Sequence, residues 1–236
     1  MSIPQNAFMT PPPPPPFVPF VYIVDSPSND DLIDGFTIGM ALRAALQAIK
    51  IPAIYTLTSN QINFELSLTT KLDNCIKQFQ ATSYSNSYPF IHLCMHGNSG
   101  GVAFTDGNHY SWSNLKDILR AHNMMKGFDP FVCMASCNGL DGMRMVDKYN
   151  RVFRYLIGNS TIVLQSDLTV GYLSFYNHLF HKKSTIEDAV IAMKIASGDN
   201  NFYCIQGEQV RLQRELEMTY NQGMSPALQP HNLGGW

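Results

Sequence analysis

Phe131-Val132-Cys133-Met134-Ala135 is an unbroken apolar run that stops on Ser136-Cys137-Asn138-Gly139. Such a run, closed by turn-forming residues, reads as a strand buried on both faces, the kind found inside parallel sheets. Phe90 to Met95 reads the same way and stops on His96-Gly97-Asn98-Ser99-Gly100-Gly101. Phe20 to Val24 is a third such run, ending at Asp25, and Pro52 to Thr58 supplies another strand.

Between these runs the apolar spacing turns helical. A helix is expected from about Leu32 to Ile49, with Asp30 and Asp31 suiting its cap and first turn. Another covers residues 62–79 with Asn60 as cap, and further helices fall at Asn114–Asn123, Gly142–Leu156, Thr169–His181 and Ile186–Ala196. Val102-Ala103-Phe104 and Tyr110-Ser111-Trp112 flank Asp106-Gly107, a hairpin signal. Thr161–Leu164 and Phe202–Ile205 complete the expected strands. Strands alternating with helical stretches specify an α/β fold: a mostly parallel six-stranded sheet, helices on both faces, and a small hairpin insertion.

The ends read differently. Pro11–Pro16 is a polyproline run within a leader over residues 1–16; lacking amide donors it stays extended, either as a stiff spacer or as a ligand for an aromatic groove. The domain is placed at 17–207, and 208–236 reads as a polar tail or extension.

Composition narrows the function classes. The chain has 236 residues, 45% hydrophobic and 14% charged, with a formal charge of −2. It can bury a sizeable core but offers no polyanion-binding field, so nucleic acid is not an expected partner. No apolar run reaches the ~18 residues that span a bilayer, and the N-terminus lacks the basic-then-apolar order of a secretion signal. Five cysteines at scattered spacings argue for reduced thiols, and hence for the cytoplasm.

In an open parallel sheet, ligands bind beyond the carboxyl ends of the strands. His96 and Cys137 both stand there, 41 positions apart, each soon followed by glycine. An imidazole beside a thiol raises the thiolate fraction of a group whose free pKa is ~8.5, which is what nucleophilic catalysis needs. Zinc is the competing chemistry, because His92, Cys94 and His96 alternate along one strand face. At ~3.3 Å per residue His92 and His96 lie about 13 Å apart, too far to share one ion, which leaves Cys94 with His96 as the minor alternative. No metal and no cofactor is expected.

The stretch from Phe90 to Gly97, the following Gly101-Val102-Ala103-Phe104-Thr105-Asp106-Gly107 and Ser113-Asn114-Leu115 resemble the histidine block of CHAT domains. Phe131 to Gly139 resembles their cysteine block, and the similarity continues through Asp167, Phe175 to Leu179, Ala189 to Ala196 and Phe202 to Gly207. CHAT domains are caspase-like cysteine peptidases. The resemblance therefore implies a caspase-like three-layer sandwich and endopeptidase activity on a protein substrate, within a regulated defence or signalling pathway. It makes His96 and Cys137 the dyad, with the amides of Gly97 and Cys137 as oxyanion donors. A backbone carbonyl near Pro27 would orient the imidazole. Asp25, Asp31, Ala135, Ser136 and Asp167 are the expected substrate-binding positions, with Ala135 favouring an uncharged or apolar residue before the cut. Val163 departs from the family, many of whose members carry Trp there. An activating or inhibiting partner protein is expected. The other reading is a scaffold of the same fold whose dyad is idle.

Overall fold

A computed structural model describes residues 19–81, 88–126 and 129–223. The leader at 1–16 and the last residues of the tail lie outside these. The central strands are β1 (Phe20–Ser26), β2 (Ala53–Leu57), β3 (Pro89–Asn98), β6 (Phe131–Ala135), β7 (Tyr155–Asn159) and β8 (Phe202–Gln206), in spatial order β2-β1-β3-β6-β7-β8. All neighbours pair parallel except β7 and β8, which are antiparallel. β4 (Gly101–Ala103) and β5 (His109–Ser111) form the expected hairpin, which pairs with the far end of β3.

Pleating divides the core into two layers. Phe20, Tyr22 and Val24 of β1 face a layer shared with Phe64, Leu68, Leu72, Ile76, Leu115 and Leu119. Val21 and Ile23 face the opposite layer with Leu42, Leu46, Tyr172, Phe175, Tyr176 and Met193. These side chains come from α3 (Gln61–Leu66), a π turn at Ser67–Lys71, α4 (Leu72–Ala81) and α5 (Trp112–Lys126) on one face. The other face is covered by α2 (Ile38–Ala48), α6 (Gln165–Phe180) and α7 (Ile186–Ser197). Each fully buried aliphatic or aromatic side chain contributes roughly 1.5–3 kcal/mol, so both layers are needed to hold the sheet.

Four expectations fail locally. The helix expected from Leu32 is two: α1 (Asn29–Ile33) and α2, separated where Gly35 takes φ +68. Ser28 caps α1 in a reciprocal box with Asp31, and Thr37 restarts the chain by accepting from the Met40 amide. The helix expected at Gly142–Leu156 is instead a 3-10 turn at Gly139–Met145 followed by irregular chain. There Asp147 Oδ1 accepts the amides of Tyr149 and Asn150, both at 2.8 Å, a local alternative that outcompetes the helix. The strand expected at Thr161–Leu164 is the loop after β7, which begins earlier, at Tyr155. Finally, Gly207–Gly223 is a helix, α8, although it reads as a polar tail. Arg211 bridges Glu208 and Glu215, and Arg214 pairs with Glu217, so opposite charges at helical spacing support it.

Candidate active site

The register of β3 on β6 decides the site. His92 stands opposite Cys133, Leu93 opposite Met134 and Cys94 opposite Ala135. Carried two residues past its last pair, that register would set His96 opposite Cys137. Pairing with β6 ends before that point because the chain leaves β6 after Ala135, while β3 runs on to pair with β4, whose Ala103 stands opposite His96. The imidazole is left exposed at the sheet's carboxyl rim, while Cys137 is half-buried.

Local chemistry fixes both loops. Asn138 takes the left-handed conformation at φ 52, so the chain turns sharply after Cys137, and its amide donates to the Thr161 carbonyl at 2.9 Å. The Cys137 thiol donates to the Val163 carbonyl at 3.9 Å. On the histidine side, Trp112 Nε1 donates to the Ser99 carbonyl at 3.1 Å and the Gly100 amide to Asn98 Oδ1 at 2.8 Å. Thr105 clamps the hairpin loop to the end of β1, with Oγ1 donating to the Pro27 carbonyl at 2.7 Å. Gly97 is required by close approach: a Cβ there would overlap the Cys137 carbonyl oxygen and lie 2.9 Å from Ser136 Oγ. The backbones of the two blocks are thus in contact at Gly97.

A cavity of about 100 Å³ opens at this place. Asp25, Asp31, His96, Ala135, Ser136 and Cys137 all line it, so six of the sequence-expected residues share one cavity. Asp167 is not among its lining residues; it lies in the first turn of α6, where Ser166 donates to it at 3.3 Å. Asp25 is 1% exposed and already engaged. Its Oδ2 accepts from Thr37 at 2.5 Å and Tyr55 at 3.1 Å, and the Gly39 amide also donates to the carboxylate. Burial pushes its pKa up despite these donors. It anchors the first turn of α2 to the sheet.

Asp31 behaves oppositely. Burial would raise it, but hydrogen bonds from Ser28 and Gln165, with the His96 imidazole nearby, hold its carboxyl below the usual range. Gln165 Nε2 reaches Asp31 Oδ1 at 3.1 Å, tying α1 to α6 across the cavity. Ser136 Oγ is buried with no hydrogen-bond partner among the described residues. Sequence reasoning missed Gln165, the Val163 carbonyl, Tyr55 and the Ser26–Thr105 contact; each depends on residues far apart in the chain. His92, four residues deeper in β3, meets the Tyr176 hydroxyl at 2.9 Å through its Nδ1, and burial pushes its pKa down to about 3. Among the described residues, no group of three or more His, Cys, Asp or Glu is placed to hold a metal ion.

No protein-family model matches the sequence, and no curated protein matches it. Among solved structures, 11 chains match. One is the X-ray structure of a secreted C11 cysteine protease, iotapain, from Bacteroides thetaiotaomicron, with a TM-score of 0.57 and 10% identity over 88% of this chain and 72% of that one. At that identity the likeness shows the fold: the chain is a mixed α/β sandwich of the caspase-like kind.

Proposed function

We propose that the protein is a cysteine endopeptidase of the CHAT type, with Cys137 as nucleophile and His96 as its acid–base partner. The observation that carries this reading is that His96 and Cys137 line one cavity at the ligand-binding rim of the sheet, just beyond the last β3–β6 pair. Cys137 Sγ attacks the scissile carbonyl, forming the carbon–sulfur bond while the thiol proton passes to His96. The Gly97 and Cys137 amides donate to the developing oxyanion, each worth on the order of 3 kcal/mol. His96 then protonates the departing amine as the C–N bond breaks. Water, deprotonated by His96, hydrolyses the thioester and restores the thiol.

The two-residue turn at Ser99-Gly100 supports the oxyanion role of Gly97. It makes Asn98 and Gly101 the bonded pair that closes the hairpin, and alternation leaves the Gly97 amide directed away from β4. The Pro27 carbonyl, already accepting from Thr105, keeps a second lone pair for the imidazole.

The substrate is a protein, cut after an uncharged or apolar residue. Ile38, Val163 and Leu168 supply apolar wall to the cavity, and its two carboxylates are engaged by Thr37, Tyr55, Ser28 and Gln165. Five unpaired thiols support a reducing compartment, the cytoplasm. A peptidase there requires restraint, for which a regulatory partner protein is the simplest device.

Incubating lysate with wild-type and Cys137→Ala protein and sequencing new N-termini by mass spectrometry tests this. The expected result is a set of cleavages present with wild type alone. Identical sets from both proteins would return the fold to a non-catalytic scaffold.

A further inference from the structure

At the opposite, amino end of the sheet lies a second cavity, of about 1100 Å³. Tyr88, Phe90, Phe131, Tyr155 and Phe180 form much of its lining. The rings make a row across the strand starts. Phe90 stacks on Phe131 at 4.6 Å between centroids, Phe131 on Tyr155 at 5.6 Å, and Phe180 lies 5.8 Å from Phe90. Hydrogen-bond donors edge this row. The Arg154 guanidinium sits 5.7 Å from the Phe131 ring centre, and Lys183 is also in the wall. Arg151, a third cation, is paired with Asp129. Phe90 in this row is buried, Phe131, Tyr155 and Phe180 are half-buried at the cavity, and the proposed peptidase chemistry uses none of them.

The chain itself carries a complementary segment. Residues 1–18 contain no Asp, Glu, Lys, Arg or His, and Pro11–Pro16 are consecutive prolines. A polyproline helix presents flat rings and carbonyl acceptors with no amide donors, which suits an aromatic groove edged by donors. Pro19, the first described residue, is itself part of the cavity wall. The described chain therefore begins at the groove's edge, at the foot of β1. The span fits: six prolines cover about 19 Å at ~3.1 Å per residue, and the starts of β1, β3, β6 and β7 cover about 14 Å at ~4.8 Å per strand.

We propose that Pro11–Pro16 docks in cis into this aromatic groove, as a polyproline helix laid across the starts of β3, β6 and β7. The tether is only Phe17-Val18 before Pro19, so the local concentration of the prolines at the groove is in the millimolar range and weak ring-on-ring contacts suffice. The inference is independent of the peptidase reading, since it concerns the other end of the molecule.

The test is a photo-crosslink in the full chain carrying Pro12→p-benzoylphenylalanine, with heavy and light copies mixed. The expected result is adducts within single copies on residues 88–90, 129–131, 154–155 or 179–183. Yield should fall about fivefold with Tyr155→Ser, the loss of one ring contact. Arg154→Glu, at an exposed position, gives the same reading should Tyr155→Ser not fold. Adducts elsewhere, or a yield indifferent to the folded groove variant, would overturn the proposal. Adducts at the groove only between heavy and light copies would overturn docking in cis and assign the groove to the leader of a second copy.

Discussion

β3 and β6 carry the same two residue types twice. His92 and Cys133 face each other in the middle of the sheet; four residues later His96 stands near the end of β3 and Cys137 in the turn just past β6. The inner pair is fully buried: His92 is held by Tyr176 and burial pushes its pKa down, while burial pushes that of Cys133 up to about 12 against a hydrogen bond with Tyr176. Both members are locked neutral, which suits packing and disables proton transfer. The outer pair stands where the strands have parted, with a cavity beside it and backbone amides close by. Position along the strand, not residue identity, separates a core filler from candidate chemistry.

Breaking the outer pair is expected to have the largest effect. Cys137→Ala should lower turnover of a cleaved protein by on the order of 10⁴-fold or more, read as initial rates, while Cys133→Ala should leave rates within about twofold and cost about 1 kcal/mol of stability. Equal losses from the two would erase the distinction.

The inner pair shows itself in stability against pH. Folded His92 stays neutral down to about pH 3, while in the unfolded chain it takes up a proton near pH 6.5. Stability should thus fall as pH drops from 6.5 towards 3, by up to about 5 kcal/mol from this group. Urea midpoints of wild type and His92→Phe should diverge in slope across that window, with the variant the flatter. Parallel slopes would mean the ring is not held neutral.

Gly97→Ala should push the histidine block off the Cys137 backbone and lower turnover by about 10²-fold, the cost of displacing a reacting group by roughly an ångström. Unchanged rates with a folded protein would show that the two blocks need not touch.

The smallest effect is expected at Gln165→Ala, which unties Asp31 from α6. Because the folded Asp31 carboxyl is held below its ordinary value, its contribution is present at neutral pH and is lost as pH falls through that folded value. Thermal midpoints of wild type and variant should therefore differ at neutral pH by a degree or two, on the order of 0.5 kcal/mol, and converge in acid. A gap that persists in acid would remove the carboxylate from the account.

Much of the fold could be read in advance because strands buried on both faces are continuous apolar runs that end on turn residues. β1, β3 and β6 announce themselves in this way, and so do the hairpin and the Asn60 cap, which accepts from the Asn63 amide at 3.0 Å. The failures share a cause: local side-chain chemistry that apolar spacing does not register. Asp147 holds its own turn, Gly35 splits a helix, and α8 rests on ion pairs. β7 was displaced because Gly158-Asn159 interrupts its apolar run while the β-branched Thr161-Ile162-Val163 mimics a strand.

The site divides along the same line. His96, Cys137 and their glycines follow from the strand-end rule. That Asp25 is taken up by Thr37 and Tyr55, or that Gln165 reaches Asp31 across 134 positions, exists only in three dimensions.

The central claim is that imidazole and thiol act on each other at the rim, and alkylation tests it directly. Wild-type and His96→Ala protein would be treated with iodoacetamide under native conditions, and each of the five cysteines followed by peptide mapping. The account predicts that Cys137 reacts ahead of the half-buried Cys75 and Cys204, that buried Cys94 and Cys133 stay unmodified, and that His96→Ala slows Cys137 by about tenfold or more. A Cys137 rate unchanged by removing His96 would contradict it.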